Sequence, residues 1–160
     1  MAAALLLTAC EASDGGSICG DTRPCVPEGT WLIQYDEGPD GVVLSPNRVR
    51  IDPEGNAELI DETVPGDSCV PGDISPGELI TNAELSADGC ELLASVDKAW
   101  CESGEDNCDE RTITLSFCEG GASDLAVGTV RACICWQTGS PFCDGDEDFF
   151  EAAASSMLAP

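Results

Sequence analysis

Short apolar runs alternate with polar positions along most of the chain, and Gly, Pro, Asn and Asp separate them roughly every eight to twelve residues. This spacing is typical of short antiparallel strands. The clearest strand is 111–118, in which Ile113, Leu115 and Phe117 alternate with polar residues, as in a strand with one buried face. We therefore predict an all-β domain, a small antiparallel up-and-down barrel or sandwich of about eight short strands. The predicted strands are 30–36, 41–44, 48–52, 56–63, 83–87, 90–100, 111–118 and 125–136.

Turn residues between these strands predict which of them form hairpins. Asp88-Gly89 separates 83–87 from 90–100, and an Asp-Gly pair favours the primed turns that match the twist of a hairpin. The segment 53–56, Pro-Glu-Gly-Asn, similarly separates 48–52 from 56–63. We also predict that 111–118 pairs with 125–136. In contrast, 64–82 is rich in Pro, Gly, Asp and Ser. This composition indicates a long loop, which we expect Cys69 to attach to the rest of the domain.

The final segment, 144–160, is acidic at first and then rich in alanine. Its spacing predicts a short helix with Phe149, Phe150, Ala153 and Met157 on one side, and a disordered tail is the alternative.

Charge narrows the range of partners. The 160 residues include 31 acidic and 6 basic side chains, which gives a formal charge of −25. A charge of this sign repels phosphate backbones, so we expect no nucleic-acid partner. Apolar residues still make up 42% of the chain, which indicates a folded domain with a solvated acidic surface. Such a surface favours solubility, and high-salt surroundings are a second explanation.

Cysteine and histidine contents point to an oxidising compartment and away from common catalytic sets. The chain has 11 cysteines and no histidine, which removes Ser-His and Cys-His dyads and the commonest metal ligand. If Cys10 has another use, ten cysteines remain, an even number that can close as disulfides and staple the domain. These ten candidates are Cys19, Cys25, Cys69, Cys90, Cys101, Cys108, Cys118, Cys133, Cys135 and Cys143.

The N-terminus resembles a bacterial lipoprotein signal. An apolar stretch, 1–9, ends in small residues directly before Cys10, and Leu7-Thr8-Ala9-Cys10 is similar to a lipobox. The resemblance implies cleavage before Cys10 and acylation of its thiol. No Lys or Arg leads the stretch, so we expect a start upstream of Met1. The chain then divides into a signal peptide with a truncated leading region (1–9), a lipidated cysteine and flexible tether (10–18), a disulfide-rich β domain (19–143) and a tail (144–160).

The start of the domain resembles that of a lipocalin-type barrel. Gly29-Thr30-Trp31 matches the G-x-W start of that family, which implies that Trp31 closes one end of an eight-stranded barrel. A basic side chain packs across the Trp in that family, and Arg131 is the nearest candidate. Strand alternation, however, places Arg131 on the face opposite Val130 and Ala132.

Few motifs in the sequence suggest a reaction or a bound metal ion. Cys133-Ile134-Cys135 puts two sulfurs on one strand face, too far apart to pair with each other, so each is expected to bond elsewhere; a redox-active pair is the alternative. Asp144, Asp146 and Asp148 are weak calcium candidates, because the EF-hand pattern fails in the following residues. Ser95 and Lys98 match S-x-x-K, but residues three apart on a strand face opposite ways.

These observations favour a non-catalytic role. We expect an exported, membrane-anchored lipoprotein whose β domain binds a small ligand or a protein, with no cofactor and no structural metal. The lipid gives it a membrane partner and places it in the cell envelope, at the outer membrane or cell surface in preference to the soluble periplasm. A disulfide-stapled inhibitor presenting the loop 101–108 is one alternative. A hydrolase using carboxylates or Ser95 and Lys98 is another.

Overall fold

The computed structural model describes residues 27–64, 77–102, 105–117, 125–135, 143 and 145–160. Eight antiparallel strands form a nearly closed up-and-down barrel, as predicted from the alternating pattern. They are β1 (Gly29–Tyr35), β2 (Asn47–Ile51), β3 (Ala57–Ile60), β4 (Glu78–Leu85), β5 (Glu91–Glu102), β6 (Glu105–Ser116), β7 (Leu125–Ile134) and β8 (Phe150–Leu158). The predicted signal peptide and tether, with the stretch carrying Cys69, lie outside the described residues.

Pairing between consecutive strands builds the barrel, and β8 closes it by pairing with β1. One junction differs from the others. Within the described part of the chain, β3 and β4 are in contact, but no hydrogen-bonded ladder joins them. The barrel is therefore open along this one seam.

The β6–β7 hairpin has the predicted partners and the predicted buried face. Ser116 lies opposite Val127, and Thr112 lies opposite Arg131. Inward-facing apolar side chains from all sides of the barrel meet in one core, which includes Trp31, Ile33, Val49, Ile51, Leu92, Ala94, Ile113, Leu115, Phe117, Ala126, Val130, Ala132 and Ile134. Period-two alternation thus locates most of the core directly from the sequence.

Both predicted hairpin turns are present, although one has a different geometry. Gly55 and Gly89 take positive φ values of 87° and 75°. Asp88 does not, so the β4–β5 turn is not of the primed type. Instead its carboxylate accepts hydrogen bonds from the Ser86 hydroxyl (2.6 Å) and the Cys90 backbone N–H (3.1 Å). This side-chain bridge holds an unprimed turn, and only the glycine needs left-handed backbone.

The strand predicted at 41–44 is wrong. The segment follows a single 3₁₀ turn, Pro39–Gly41, and runs extended without a strand partner. Val42 and Leu44 are nevertheless buried while Val43 is 80% exposed. The alternation of apolar and polar residues therefore predicted correctly which side chains are buried. A segment with one buried side is not a strand, however, unless a neighbouring strand forms backbone hydrogen bonds with it.

The helix predicted near the C-terminus is also wrong, because Phe150–Leu158 forms β8 between β1 and β7. Ala154 and Ser156 are buried, whereas Ala153 and Ser155 face solvent. Helix propensity is a weak preference that tertiary pairing overrides, and here two strand edges would otherwise stay unpaired. Among the described residues, no helix is long and apolar enough to cross a membrane.

Candidate functional site

The inward-facing rows of β5 and β6 change from apolar to polar at the same end of the barrel. On β6 the apolar row that includes Ile113 continues into Arg111 and Asp109, and on β5 the row ends with Lys98 and Trp100. Because the strands are antiparallel, Lys98 lies directly opposite Asp109. We call this the polar end. Tyr35, Asn47 and Glu62 join it from the other side of the barrel.

Arg111 is the best-connected side chain of the polar end. Its Nε donates to Asp109 Oδ1 at 2.7 Å, and its Nη2 donates to Oδ2 of the same carboxylate. Its Nη1 donates to the Ser45 carbonyl at 2.6 Å and to Asn47 Oδ1 at 3.1 Å. Only 2% of the residue is exposed. Burial alone would lower the pKa of Arg111, but the hydrogen bonds and the charge of Asp109 raise it, so the guanidinium is charged.

A second ion pair continues this network. Lys98 Nζ binds Glu62 Oε2, and the other oxygen of Glu62 accepts a hydrogen bond from Asn47 Nδ2. Asn47 Oδ1 also accepts the hydroxyl of Tyr35, so Asn47 connects both ion pairs. Burial raises the pKa of Tyr35 despite the nearby positive charge of Arg111, whose guanidinium lies 5.7 Å from the ring centroid. The phenol therefore stays neutral, as a hydrogen-bond donor.

A pocket of about 390 Å³ opens at the polar end. It brings together three carboxylates, one ammonium group, two hydroxyls and an indole; its lining residues are Ser45, Pro46, Asp61, Glu62, Thr63, Lys98, Trp100 and Asp109. The carboxylates are already paired, Asp61 with exposed Arg48 and the other two with Lys98 and Arg111. The wall of the pocket is thus highly polar with its charges largely compensated.

Trp100 contributes a buried hydrogen-bond donor to this wall. Its indole Nε1 is buried and donates to none of the described residues. A buried donor without an acceptor costs about 1–3 kcal/mol, and an acceptor that arrives with a ligand recovers this cost. Because the Nε1 atom is shielded from solvent in this conformation, a ligand oxygen can accept from it only after the Trp100 side chain shifts toward the pocket.

Ser95 and Lys98 do not form the dyad that S-x-x-K requires. Lys98 belongs to the inward row of β5 with Val96, whereas Ser95 lies on the other face, as strand geometry predicted. The inhibitor hypothesis loses its premise in a similar way, because no bridge joins Cys101 to Cys108. Those residues lie on the two arms of the β5–β6 hairpin.

Four of the cysteines form two disulfides on the outer face near the polar end, Cys108–Cys135 and Cys133–Cys143. The two sulfurs of the C-x-C segment thus bond to different partners. Cys90 is also disulfide-bonded. Cys101 is a free thiol, which corrects the expectation that all ten candidates pair. Strand pairing sets Cys101 opposite Asp106, while Cys108 lies opposite Ala99. The other candidates, Cys19, Cys25, Cys69 and Cys118, lie outside the described residues, as does Cys10.

Trp31 lies at the end of the barrel opposite the polar end. It is 1% exposed and packs edge-to-face against Phe117, with ring centroids 4.8 Å apart, while its indole donates to the Pro27 carbonyl at 2.9 Å. Arg131 does not pack across it. The guanidinium of Arg131 lies 3.7 Å from the ring centroid of Phe149 on the outer face, where alternation placed it.

Two of the three aspartates proposed for calcium, Asp146 and Asp148, lie among the described residues, and each accepts a hydrogen bond from another group. Asp146 accepts a hydrogen bond from Arg131 at 2.7 Å, and Asp148 accepts the Gly145 backbone N–H at 3.2 Å. Asp144 lies outside the described residues. Within that described part, no group of three side chains is arranged to hold a metal ion.

Sequence reasoning missed the polar end, although one signal was present. Arg111 has the same parity as Ile113 and Leu115, so alternation places it on the buried face. A charged residue on such a face requires buried partners. Comparison with known proteins adds no further residues, because no family model, curated protein or solved structure matches the chain.

Proposed function

We propose that this protein is an exported lipoprotein, acylated at Cys10, whose barrel binds a small uncharged ligand rich in hydroxyl groups at the polar end. The anchor rests on Leu7-Thr8-Ala9-Cys10 and on the small, polar composition of the segment 11–18 that follows it. The ligand site rests on the pocket and, above all, on the buried indole N–H of Trp100, for which the described residues supply no acceptor.

Compensated charges favour a neutral ligand over an ionic one. An anion would compete with Glu62 for Lys98 or with Asp109 for Arg111, and a cation would compete with those same basic groups. Breaking a buried pair by withdrawing one partner costs about 3–5 kcal/mol. A hydroxyl group can instead donate to a free carboxylate lone pair and accept from the indole without displacing either ion pair. A saccharide fits this chemistry.

Calorimetric titration with a panel of neutral mono- and oligosaccharides tests the site. We expect saturable binding that Trp100→Phe weakens at least tenfold, because the substitution removes the N–H and keeps an aromatic ring. Thr114→Ala, on the exposed outer face of β6, serves as the control and should bind as the parent does. Absence of binding across the panel, or equal affinity of Trp100→Phe and its parent, would refute the proposed ligand class.

Fractionation and mass measurement test the anchor in a lipidating host. The parent chain should enter the membrane fraction with the mass of two or more acyl chains, and Cys10→Ser should stay soluble. Ser17→Ala in the same segment is the matched control. Membrane recovery of Cys10→Ser equal to that of the parent would exclude this anchor.

Thiol counting adds an independent check on Cys10. Because Cys101 is free, the ten cysteines that remain include Cys10, so parity no longer singles out Cys10 as the unpaired residue. If Cys10 carries lipid, nine cysteines are left besides Cys101, and an odd number cannot all pair within one chain. The mature lipidated chain should therefore show at least two free thiols after denaturation without reductant. A single free thiol would be inconsistent with acylation at Cys10.

A further inference from the structure

The two disulfides near the polar end touch each other. Cys108–Cys135 and Cys133–Cys143 have Cα separations of 5.3 Å and 6.1 Å. The Sγ atoms of Cys108 and Cys143, which belong to different bridges, lie only 3.6 Å apart. Thiol–disulfide exchange requires a thiolate next to a disulfide sulfur, and this contact provides such an arrangement as soon as either bridge opens.

Exposure distinguishes the inner sulfurs from the outer ones. Cys133 and Cys135 are fully buried, whereas Cys108 and Cys143 are partly exposed. An external thiol therefore reaches the outer member of each bridge, and the two outer members are the ones in contact. Attack from solvent thus starts next to the position where exchange can follow.

We propose that these four cysteines form a thiol–disulfide exchange site that accepts two electrons from an external dithiol and keeps Cys108–Cys143 as its bridge. The dithiol attacks Cys143 Sγ and opens Cys133–Cys143. Its second thiol then displaces Cys143 as a thiolate, so that the dithiol leaves as a cyclic disulfide. Cys143 attacks Cys108 Sγ, which forms Cys108–Cys143 and releases Cys135. The two protons of the dithiol end on Cys133 and Cys135.

Geometry and burial both favour this half-reduced state. Cys133 lies near the end of β7 and Cys135 directly follows that strand, and each bonds to a different partner, not to the other. Once reduced, they stay as a pair of thiols. Both sulfurs are fully buried, so an external oxidant or disulfide does not reach them directly. Cys108–Cys143, in contrast, joins the two sulfurs that are already in contact.

Partial reduction of the full chain tests this directly, in a Cys101→Ser background that removes the free thiol found among the described residues. The protein is titrated with dithiothreitol under native conditions, quenched with acid, alkylated and mapped by mass spectrometry without further reduction. We expect molecules with a Cys108–Cys143 peptide pair and alkyl groups on Cys133 and Cys135. If, among these four cysteines, the partly reduced molecules retain Cys108–Cys135 or Cys133–Cys143 and never form Cys108–Cys143, the proposal is overturned.

Two single variants give the same test without a reductant. In Cys133→Ser the thiol of Cys143 has lost its partner and should capture Cys108, so mapping should find Cys108–Cys143 and a free Cys135. In the matched variant Cys143→Ser the remaining thiol is the buried Cys133, and Cys108–Cys135 should persist. Retention of Cys108–Cys135 in both variants would contradict the exchange. If either variant fails to fold by circular dichroism, the partial reduction of the parent decides.

Discussion

Arg111 shows how much one buried side chain can depend on its partners. Its replacement by Met would leave the Asp109 carboxylate buried without a counter-charge, which we expect to cost about 3–5 kcal/mol of unfolding free energy. The double variant Arg111→Met with Asp109→Leu should recover most of this loss, since no unpaired charge remains. Urea denaturation measures both. Arg50→Met, which breaks an exposed pair with Glu58, is the control and should cost under about 1 kcal/mol. A double variant as unstable as Arg111→Met would contradict this account.

Tyr35 provides a pH-dependent test that is simple to read, because it is the only tyrosine in the chain. Its pKa is raised above the unfolded value of about 10, mainly by burial. Above about pH 10 the unfolded chain loses the phenolic proton while the folded chain keeps it, so the unfolded state binds fewer protons and stability falls as pH rises. Below that pH both states are neutral and this residue adds no pH dependence.

Two measurements on Tyr35 should agree. Tyrosinate absorbance of the folded protein should remain near zero at about pH 11, where the urea-unfolded chain is mostly ionised. The stability difference between the parent and Tyr35→Phe should be constant below about pH 9 and should shrink above about pH 10, because only the parent carries the phenol. A folded phenol that titrates near its ordinary pKa would show that burial does not control it.

The β6–β7 hairpin can be tested through neighbouring side chains that face opposite ways. Leu115 is fully buried and Thr114 is exposed. Leu115→Ala should lower the unfolding free energy by about 2–5 kcal/mol, through lost burial and the cavity left behind. Thr114→Ala should change it by less than about 1 kcal/mol. Equal losses in urea denaturation would be incompatible with this register.

Elements whose burial alternates cleanly were predictable from the sequence, and those that depend on a distant partner were not. Strand 111–118 carries a local period-two signal, so its buried face and its pairing with the next strand followed. The residues of β8 are mostly small, and Ala and Ser do not mark a face by hydrophobicity. The polar end was missed because Arg111 and Asn47 lie 64 residues apart, and no local pattern links them.

At the scale of the whole molecule, the formal charge of −25 predicts a response to salt. Repulsion among like charges is stronger in the compact state than in the unfolded chain. Sodium chloride should therefore raise the thermal midpoint, mostly between about 0.01 M and 0.15 M, where the Debye length falls from about 30 Å to about 8 Å. Sucrose strengthens burial without screening charge and serves as the control. A midpoint that does not change over this range of salt would exclude self-repulsion as a significant cost.

Disulfides are the second feature that affects the stability of the whole molecule. Aromatic content is low, with four Phe, three Trp and one Tyr, so the barrel has limited core area for its length. Each bridge is expected to contribute about 2–4 kcal/mol, mainly by restricting the unfolded chain, against a typical net stability of about 5–15 kcal/mol. Loss of every bridge should therefore unfold the protein, whereas opening one of the two near the polar end should not.

Circular dichroism during a reductant titration separates these two states when mass spectrometry counts the thiols in the same samples. The strand signal should persist while two thiols appear beyond those already free before reduction, and it should collapse when reduction is complete. Cys101→Ser should follow the same curve as the parent, because Cys101 belongs to no bridge. A strand signal that survives complete reduction would mean that the packed core alone is sufficient. The two bridges near the polar end would then serve the exchange chemistry, since stability would not require them.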